Sequence, residues 1–233
     1  MKKALIFLAG WLFVVGVGSL AEAMPLDFGI KTGMALSKVS FSGTIEGLGD
    51  VGDELNENIK IRSGWVGGVF ATLHLSSSFS VQPEALYVQK GWVSEQKYQL
   101  FDVDANLIGV ATMKDEYLAS YCEIPLLGKW TAPAIGMVKS SLFAGPVMAF
   151  QLSHDGKMWI GGEEVTDVDL TGADELADKI KSADWGAVLG VEVAVGHILV
   201  DVRYDLGLMD ILEGSGDVKT KSRSLIFMGG YRF

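Results

Sequence analysis

Apolar and polar residues alternate with a period of two along several stretches of the chain. In the clearest stretch, 197–206, every second side chain is apolar, whereas Asp201, Arg203 and Asp205 share the opposite face. Alternation sustained over such a length predicts a β-strand. The same pattern runs through 27–37, 65–75, 184–195 and 224–233, and less regularly through 79–91, 117–130 and 140–152. The sequence therefore predicts about eight strands.

Three prolines, Pro83, Pro125 and Pro146, lie inside the three less regular stretches. Proline cannot donate a hydrogen bond to a sheet ladder, so it usually marks an edge strand or a bulge. A bulge at each proline would also explain why the alternation slips there.

The connections between predicted strands alternate between long and short. The long ones are 38–63, about 92–116, 153–183 and 207–221, and the short ones are 76–78, 131–137 and Gly196. This alternation is typical of an up-and-down meander that has one end at the cell exterior and the other in the periplasm.

The two faces of the predicted strands differ in a way that indicates the surrounding solvent. One face is uniformly apolar, and the other is narrow, charged and rich in glycine. Closing about eight strands would place the small and charged side chains in the lumen and the apolar ones against lipid. Beyond its first 23 residues the chain has no apolar run near 20 residues, which excludes membrane-spanning helices. The predicted fold is therefore all-β: a membrane-spanning antiparallel up-and-down β-barrel of about eight strands.

Aromatic residues lie near the ends of the predicted strands, in the apolar phase. Two belts of this kind are expected at the two membrane interfaces. A soluble β-sandwich or lipocalin-like barrel, the alternative fold, would concentrate its aromatic residues at mid-strand facing inward. The predicted belts comprise Trp65 and Trp185 at the outer end and Phe28, Phe79, Trp130 and Phe233 at the periplasmic end.

The polar phase of the strands carries charged residues that the barrel would enclose. Isolated charges in a narrow interior are costly, so these residues are expected to pair with one another. A structural salt-bridge network that fills the lumen is favoured over an ion path or proton relay, because about eight strands leave no aqueous channel. The predicted lumen set is Lys31, Glu84, Glu123, Glu192, Asp201, Arg203, Asp205 and Arg232.

The N-terminal segment has the parts of a secretory signal peptide: two lysines, an apolar run over 4–18 and a small-residue end at 21–23. We expect cleavage before Met24, so that residues 1–23 are the signal peptide and 24–233 the barrel domain. A retained membrane anchor is the alternative. The formal net charge of −10 argues against a nucleic-acid partner. The single cysteine, Cys122, excludes an internal disulfide.

Six stretches together resemble the bacterial outer-membrane β-barrel family labelled "porin family" or PorT-like. They are "GIKTGMALS" (29–37), "FSVQPEALYVQKG" (79–91), "YCEIPLLGKW" (121–130), "SLFAGPVMAF" (141–150), "VDVRYDLGL" (200–208) and "GYRF" (230–233). The resemblance implies an eight-stranded barrel in the bacterial outer membrane with both termini in the periplasm. It also implies that the outer-membrane assembly machinery reads the C-terminal strand through Tyr231 and Phe233. It implies no established activity.

The long connections are the expected place for any interaction. Residues 92–115 predict a hairpin that continues strands three and four beyond the membrane, either to capture a partner by strand addition or to stiffen the loop. In 153–183, "MWIGGEEV" predicts a small hairpin, and 171–185 predicts a short helix with Leu176, Ile180 and Ala183 on one side. The stretch 167–178 partly fits a calcium loop. A solvated acidic loop is the default there, and the weak calcium candidates are Asp167, Asp169 and Asp178.

Catalytic chemistry has little support in the sequence. The three histidines, His74, His154 and His197, join no visible catalytic arrangement, and no metal-ligand cluster or nucleotide motif occurs. We therefore expect no cofactor, no resident metal and no enzymatic activity. The expected protein is a monomeric barrel in outer-membrane lipid, with a filled lumen, acidic extracellular loops that could bind a surface ligand, and a structural or surface-interaction role. A narrow porin-like channel is the alternative, and an outer-membrane lipid-modifying enzyme is ranked below it.

Overall fold

A computed structural model describes residues 25–42, 44–45, 49–50, 58–101, 107–164, 183–209 and 219–233. Eight long strands occupy these residues. They are β1 (Leu26–Ser42), β2 (Ile59–His74), β3 (Phe79–Phe101), β4 (Leu107–Thr131), β5 (Val138–Ile160), β6 (Ala183–Val195), β7 (Ile198–Gly207) and β8 (Lys219–Arg232). Two-residue strands add Thr44–Ile45, Gly49–Asp50 and Glu163–Glu164. No helix in the described ranges is long and apolar enough to span a membrane. The predicted signal peptide, 1–23, lies outside the described residues.

The eight strands form a closed antiparallel ring. Each strand pairs with its neighbours in sequence, and β1 pairs with β8 from Gly29–Arg232 to Ser42–Lys219. Closure leaves the membrane part of the sheet without an edge, so every strand there has a hydrogen-bonded partner on both sides. The predicted all-β, eight-stranded, up-and-down barrel is confirmed.

The period of two separates the interior from the exterior along each strand. On β7, Leu199, Asp201 and Arg203 are buried, whereas Ile198 and Val200 are exposed. The interior is also polar: Gln82, Glu84, Glu123, Asp201 and Arg203 are each at most 1% exposed. Apolar clusters share the lumen with these charges, among them Ala35, Val66, Leu86, Val88, Ile226 and Met228. The barrel is therefore filled by side chains and presents its apolar faces outward.

The two ends of the barrel differ. At the short-turn end, the connections 75–78, 132–137 and 196–197 join neighbouring strands. At the opposite, extended end, β3, β4 and β5 run on for 23, 25 and 23 residues, whereas β6, β7 and β8 have 13, 10 and 14. The β3–β4 ladder continues to Phe101–Leu107, which confirms the predicted protruding hairpin.

Two other loop predictions have different outcomes. The small hairpin is confirmed, because Trp159 pairs with Glu164 around Gly161 and Gly162, whose φ values are 63° and 94°. Positive φ at both central residues is what a two-residue hairpin turn requires. The helix prediction is wrong at Ala183, which begins β6. The rest of that helix and the calcium candidates lie outside the described residues.

The prolines do not coincide with bulges, and the prediction of a bulge at each is wrong. The register runs without a shift past Pro83–Leu126 and Pro125–Val147. Proline removes a hydrogen-bond donor but inserts no extra residue, so the pairing on either side keeps its phase. The shifts lie elsewhere: between Ile61 and Val66 on β2, between Leu100 and Phe101 on β3, and at 120–121 on β4.

Candidate functional site

A layer of buried ion pairs crosses the lumen, with Lys31 of β1 at its centre. Its Nζ donates to Glu84 Oε1 at 3.0 Å, to Asp201 Oδ2 at 2.7 Å and to Glu192 Oε2 at 3.2 Å. These carboxylates come from β3, β7 and β6, and each occupies the inward phase of its strand. One ammonium thus connects four strands of the barrel across its interior.

Arg203 completes the same layer from β7. Its guanidinium donates to both oxygens of Glu84, with Nη1–Oε2 at 2.6 Å and Nη2–Oε1 at 3.2 Å. It also bonds Asp201 through Nε at 3.0 Å and Nη2 at 2.5 Å. The guanidinium carbon lies 5.1 Å from the ring centroid of Phe143. Forked pairing of this kind orients both carboxylates and places a positive charge beside them.

Lys129 and Gln82 extend the layer toward the short-turn end, and neither is among the lumen residues predicted from the sequence. Lys129 Nζ donates to Glu192 Oε1 at 2.7 Å and to Gln82 Oε1 at 2.9 Å. Gln82 Nε2 in turn donates to Glu84 Oε1 at 2.6 Å. Lys129 shares the odd-numbered inward phase of Glu123 on β4, which is the signal that could have found it. The layer holds three cations and three carboxylates, so its formal charge is balanced.

A second, smaller cluster lies toward the extended end. Lys90 Nζ lies 2.6 Å from Glu123 Oε1 and 3.2 Å from Asp205 Oδ2. Asp205 Oδ1 is buried and has no hydrogen-bond partner. Glu123 and Asp205 are lumen residues predicted from the sequence, whereas Lys90 is not, although it follows Glu84 in the even-numbered inward phase of β3. Two carboxylates share one ammonium here, unlike in the balanced layer below.

Arg232 lies apart from both clusters, at the rim of the short-turn end. Its Nη1 is 3.2 Å from Asp27 Oδ2, and its Nη2 donates to the carbonyl oxygen of Gly196 at 2.9 Å. The same Asp27 oxygen lies 3.0 Å from His74 Nε2. Arg232 is the last residue of β8 and lies two positions beyond Gly230, the residue that pairs with Lys31. Seven of the eight predicted lumen residues are therefore in the two clusters. The eighth, Arg232, links β8 to Asp27 and Gly196 at the rim.

A cavity of about 370 Å³ opens at the short-turn end and stops at the charge layer. Lys129 and Glu192 line its inner side, and His74, His197 and Arg232 line its mouth. The cavity penetrates the lumen only as far as the Lys129–Glu192 pair. The cavity is therefore a vestibule, open at the rim and closed at the charge layer.

All six predicted belt residues are exposed on the outer surface. Trp65 pairs with Met34 and Trp185 with Met148, on the side toward the extended end. The other four lie at the short-turn end, where Phe79 pairs with Trp130. There the backbone N–H of Phe233 donates to the carbonyl oxygen of Phe28 at 2.8 Å. The exposed fractions are 48% for Phe28, 52% for Trp65, 57% for Phe79, 45% for Trp130, 52% for Trp185 and 70% for Phe233.

The protruding sheet carries ion pairs of its own. Lys60 pairs with Glu95, and Arg62 reaches Glu116 with Nη2–Oε1 at 2.6 Å. The hydrogen bond from Lys60 lowers the pKa of the Glu95 carboxyl below its ordinary value. Burial raises the pKa of Asp115, whose Oδ1 has no hydrogen-bond partner.

Reactive groups are not assembled into a catalytic or metal site in the described part of the chain. No group of three or more His, Cys, Asp or Glu residues there could hold a metal ion. His74 faces Asp27, but no hydrogen bond in that part links it to a serine. The chemistry that this arrangement supports is charge neutralisation inside a barrel.

Comparison with known proteins places this geometry in a family. The model of the outer membrane protein β-barrel domain matches residues 21–213. The comparison with curated protein sequences gave no match.

Several solved structures are similar to the chain at low identity. The outer membrane protein OprG from Pseudomonas aeruginosa is 15% identical, with 90% of this chain and 97% of that chain covered and a TM-score of 0.41. Neisserial surface protein A is 15% identical, with coverages of 88% and 97% and a TM-score of 0.39. Ail, the attachment invasion locus protein of Yersinia pestis, solved with the heparin analogue sucrose octasulfate, is 12% identical, with coverages of 90% and 100% and a TM-score of 0.36.

The family model covers residues 21–213, which is most of the chain, and the chain folds into a closed barrel with an apolar exterior. The chain therefore belongs to the outer membrane protein β-barrel domain family and is a protein of the bacterial outer membrane.

Proposed function

We propose that the protein is a non-conducting outer-membrane barrel with a structural or surface-interaction role. The observation that carries this proposal is the buried layer around Lys31 and Arg203, in which the charged side chains are almost fully shielded from solvent. A permeating ion would have to break several charge-assisted hydrogen bonds in a lumen too narrow to replace them with water.

Conductance across planar lipid bilayers tests the filled lumen. The wild-type protein is expected to give no reproducible current steps. Arg203→Ala serves as the probe of the layer, and the heat-denatured protein serves as a control for the preparation. Wild-type steps that Arg203→Ala abolishes would show that Arg203 lines a working ion path, and the proposal would fail.

The protruding part of β3–β5 supports a surface-interaction role. In bacterial outer-membrane barrels the short turns face the periplasm, so the extended end faces the cell exterior. Within the described residues, β3 pairs with β2 only as far as Ser94–Ile59, whereas its pairing with β4 continues to Phe101. The backbone N–H of Glu95 still donates to the carbonyl oxygen of Asn58, and beyond Glu95 one edge of β3 offers backbone groups to an added strand.

A shortened hairpin tests this role. Residues 97–112 are replaced by a two-residue Asn-Gly turn, which suits a tight hairpin between the paired residues Gln96 and Met113. The wild-type and shortened proteins, both in lipid nanodiscs, are compared for binding to printed arrays of glycans and extended peptides. The proposal expects binding by the wild type that the shortened protein loses. Equal binding signals from the two proteins would show that the hairpin does not bind the surface ligand.

A narrow channel for ions or small solutes is the second candidate function, and one observation favours it. The vestibule reaches the charge layer from the periplasmic side, and a small cavity next to Lys90, Glu123 and Asp205 lies beyond it. A transient opening of the layer would join the two cavities. The bilayer experiment separates the candidates, because only a channel gives steps with a reproducible unit size. A lipid-modifying activity ranks below both, and lipid analysis of cells with and without the protein tests it.

The C-terminal strand is proposed to be the segment that the outer-membrane assembly machinery reads. Tyr231 and Phe233 are exposed on the lipid face, with ring centroids 5.7 Å apart. Phe233→Ala is expected to lower the amount of barrel assembled in cells without destabilising barrel refolded from urea into lipid vesicles. Equal loss in both settings would indicate a stability effect instead. We also propose that the barrel acts as a monomer, because the described strands close the ring within one chain.

A further inference from the structure

The lipid-facing surface ends, toward the cell exterior, in a pair of cations on neighbouring strands. Lys38 of β1 and Arg223 of β8 are directly opposite each other in the register, and both are exposed. Their chain neighbours Ser37, Val39 and Ser224 are buried in the lumen, so the two cations lie on the outer face of the barrel. Lys221 follows on β8 in the same outward phase.

These cations have no carboxylate partner among the described residues, in contrast with those on the neighbouring strands. Lys60 pairs with Glu95 and Arg62 with Glu116, so the outer face of β2–β4 is largely neutralised. Like charges directly opposite each other on antiparallel strands are about 4.5–5.5 Å apart at Cβ and destabilise the sheet. An anion that bridges the two side chains would remove this repulsion.

The position of the pair indicates the kind of anion. Directly below it on the β1–β8 seam, Leu36 pairs with Leu225 and Met34 with Phe227, all in the outward apolar phase. Met34 and Phe227 are 47% and 41% exposed, as expected of side chains that contact acyl chains. Lys38 lies four residues beyond Met34, or about 13 Å along the strand. Since Met34 pairs with the belt residue Trp65, the cations lie just outside the apolar band, at the level of lipid headgroups.

We propose that Lys38, Arg223 and Lys221 form a binding site for the phosphate groups of an outer-leaflet glycolipid, whose acyl chains lie along the β1–β8 seam. Arginine and lysine are the side chains that bind phosphate, and the fork of arginine suits two phosphate oxygens. The exposed cations lie at the level of the lipid phosphate groups, and the apolar strip below them lies at the level of the acyl chains. This site goes beyond the proposed structural or surface role and does not depend on it.

Native mass spectrometry of the full chain in detergent tests the proposal, with bis-phosphorylated lipid A as the probe. The double variant Lys38→Ala/Arg223→Ala is expected to bind lipid A about thirtyfold more weakly, since each basic side chain near a charged lipid surface contributes a factor of about five. The control Lys97→Ala/Lys139→Ala removes the same charge from exposed positions elsewhere and is expected to bind like the wild type. The swap Lys38→Arg/Arg223→Lys keeps both charges and should retain most of the affinity.

Two further probes separate the sources of phosphate. Dephosphorylated lipid A is expected to bind the wild type as weakly as lipid A binds the double variant. Inorganic phosphate alone is expected to bind far more weakly than lipid A, and equal affinity for the two would overturn the lipid assignment. The proposal also fails if the double variant, shown to be folded by its heat-modifiable gel mobility, binds lipid A as tightly as the control variant does.

Discussion

Replacing Arg203 by alanine is expected to destabilise the barrel more than almost any other single substitution. The side chain is 1% exposed and makes four hydrogen bonds, two to Glu84 and two to Asp201. Without it, Lys31 and Lys129 face three carboxylates, so the buried layer carries one uncompensated negative charge. Leaving a buried charge without its partner costs about 3–5 kcal/mol of unfolding free energy.

A second substitution distinguishes this electrostatic cost from simple loss of packing. In the double variant Arg203→Ala/Glu84→Gln the layer is again balanced, because one cation and one anion have been removed. We expect this variant to be more stable than the sum of the two single changes predicts, by about 1–3 kcal/mol. Lys97→Ala, which removes an exposed cation, should change stability by less than about 0.5 kcal/mol and serves as the control.

The assay is reversible urea unfolding in phosphatidylcholine vesicles, followed by tryptophan fluorescence and by the gel shift between folded and boiled protein. The reasoning would be refuted if Arg203→Ala lost less than about 1 kcal/mol, since the ion pairs would then be surface-like in strength. It would equally fail if the effects of Arg203→Ala and Glu84→Gln were additive, because independent side chains cannot form one charge layer.

Three other predictions concern the barrel seam and the protruding sheet. Gly33→Ala should reduce the folded fraction on gels, because a Cβ there would lie 1.9 Å from a facing β8 carbonyl oxygen, whereas Gly229→Ala on the same seam has nothing within 4 Å and should be neutral. Asp115→Asn should stabilise the protruding sheet by about 0.5–1 kcal/mol at neutral pH, measured by amide hydrogen exchange. Burial raises the folded-state pKa of Asp115, so its neutral form is favoured: the gain should vanish at acidic pH and appear as the pH rises through that pKa. Lys60→Ala should raise the pKa of Glu95 toward its ordinary value in an NMR titration, and an unchanged pKa would show that Lys60 is not the cause.

The assignment of residues to the inside or outside of the barrel could be made from the sequence. A strand repeats every two residues, so shifting its register by one residue would move every inward side chain to the lipid face. This is why Asp201 and Arg203 could be placed in the lumen before any contact was known. Lys90 and Lys129 follow the same phase, and extending the alternation along β3 and β4 would have found them.

The partners of these residues could not be obtained in the same way. Lys31 lies 53 positions from Glu84 and 170 positions from Asp201 along the chain. Their contacts depend on the register of several ladders and on the closure of β1 against β8. The prolines show the same limit, since only the pairing of whole strands revealed that the register runs past Pro83 unchanged.

The sequence by itself determined the closed-barrel class, the two faces of each strand and the protruding hairpin. These features follow from local periodicity and from the solvent that each face can tolerate. The tertiary structure decided which inward charges share a level, that Arg232 stays at the rim, and that Lys38 and Arg223 stand opposite each other. The physical reason is that height along the barrel depends on the relative register of all the strands, and hydrogen bonding across a closed ring sets that register only when every ladder is formed.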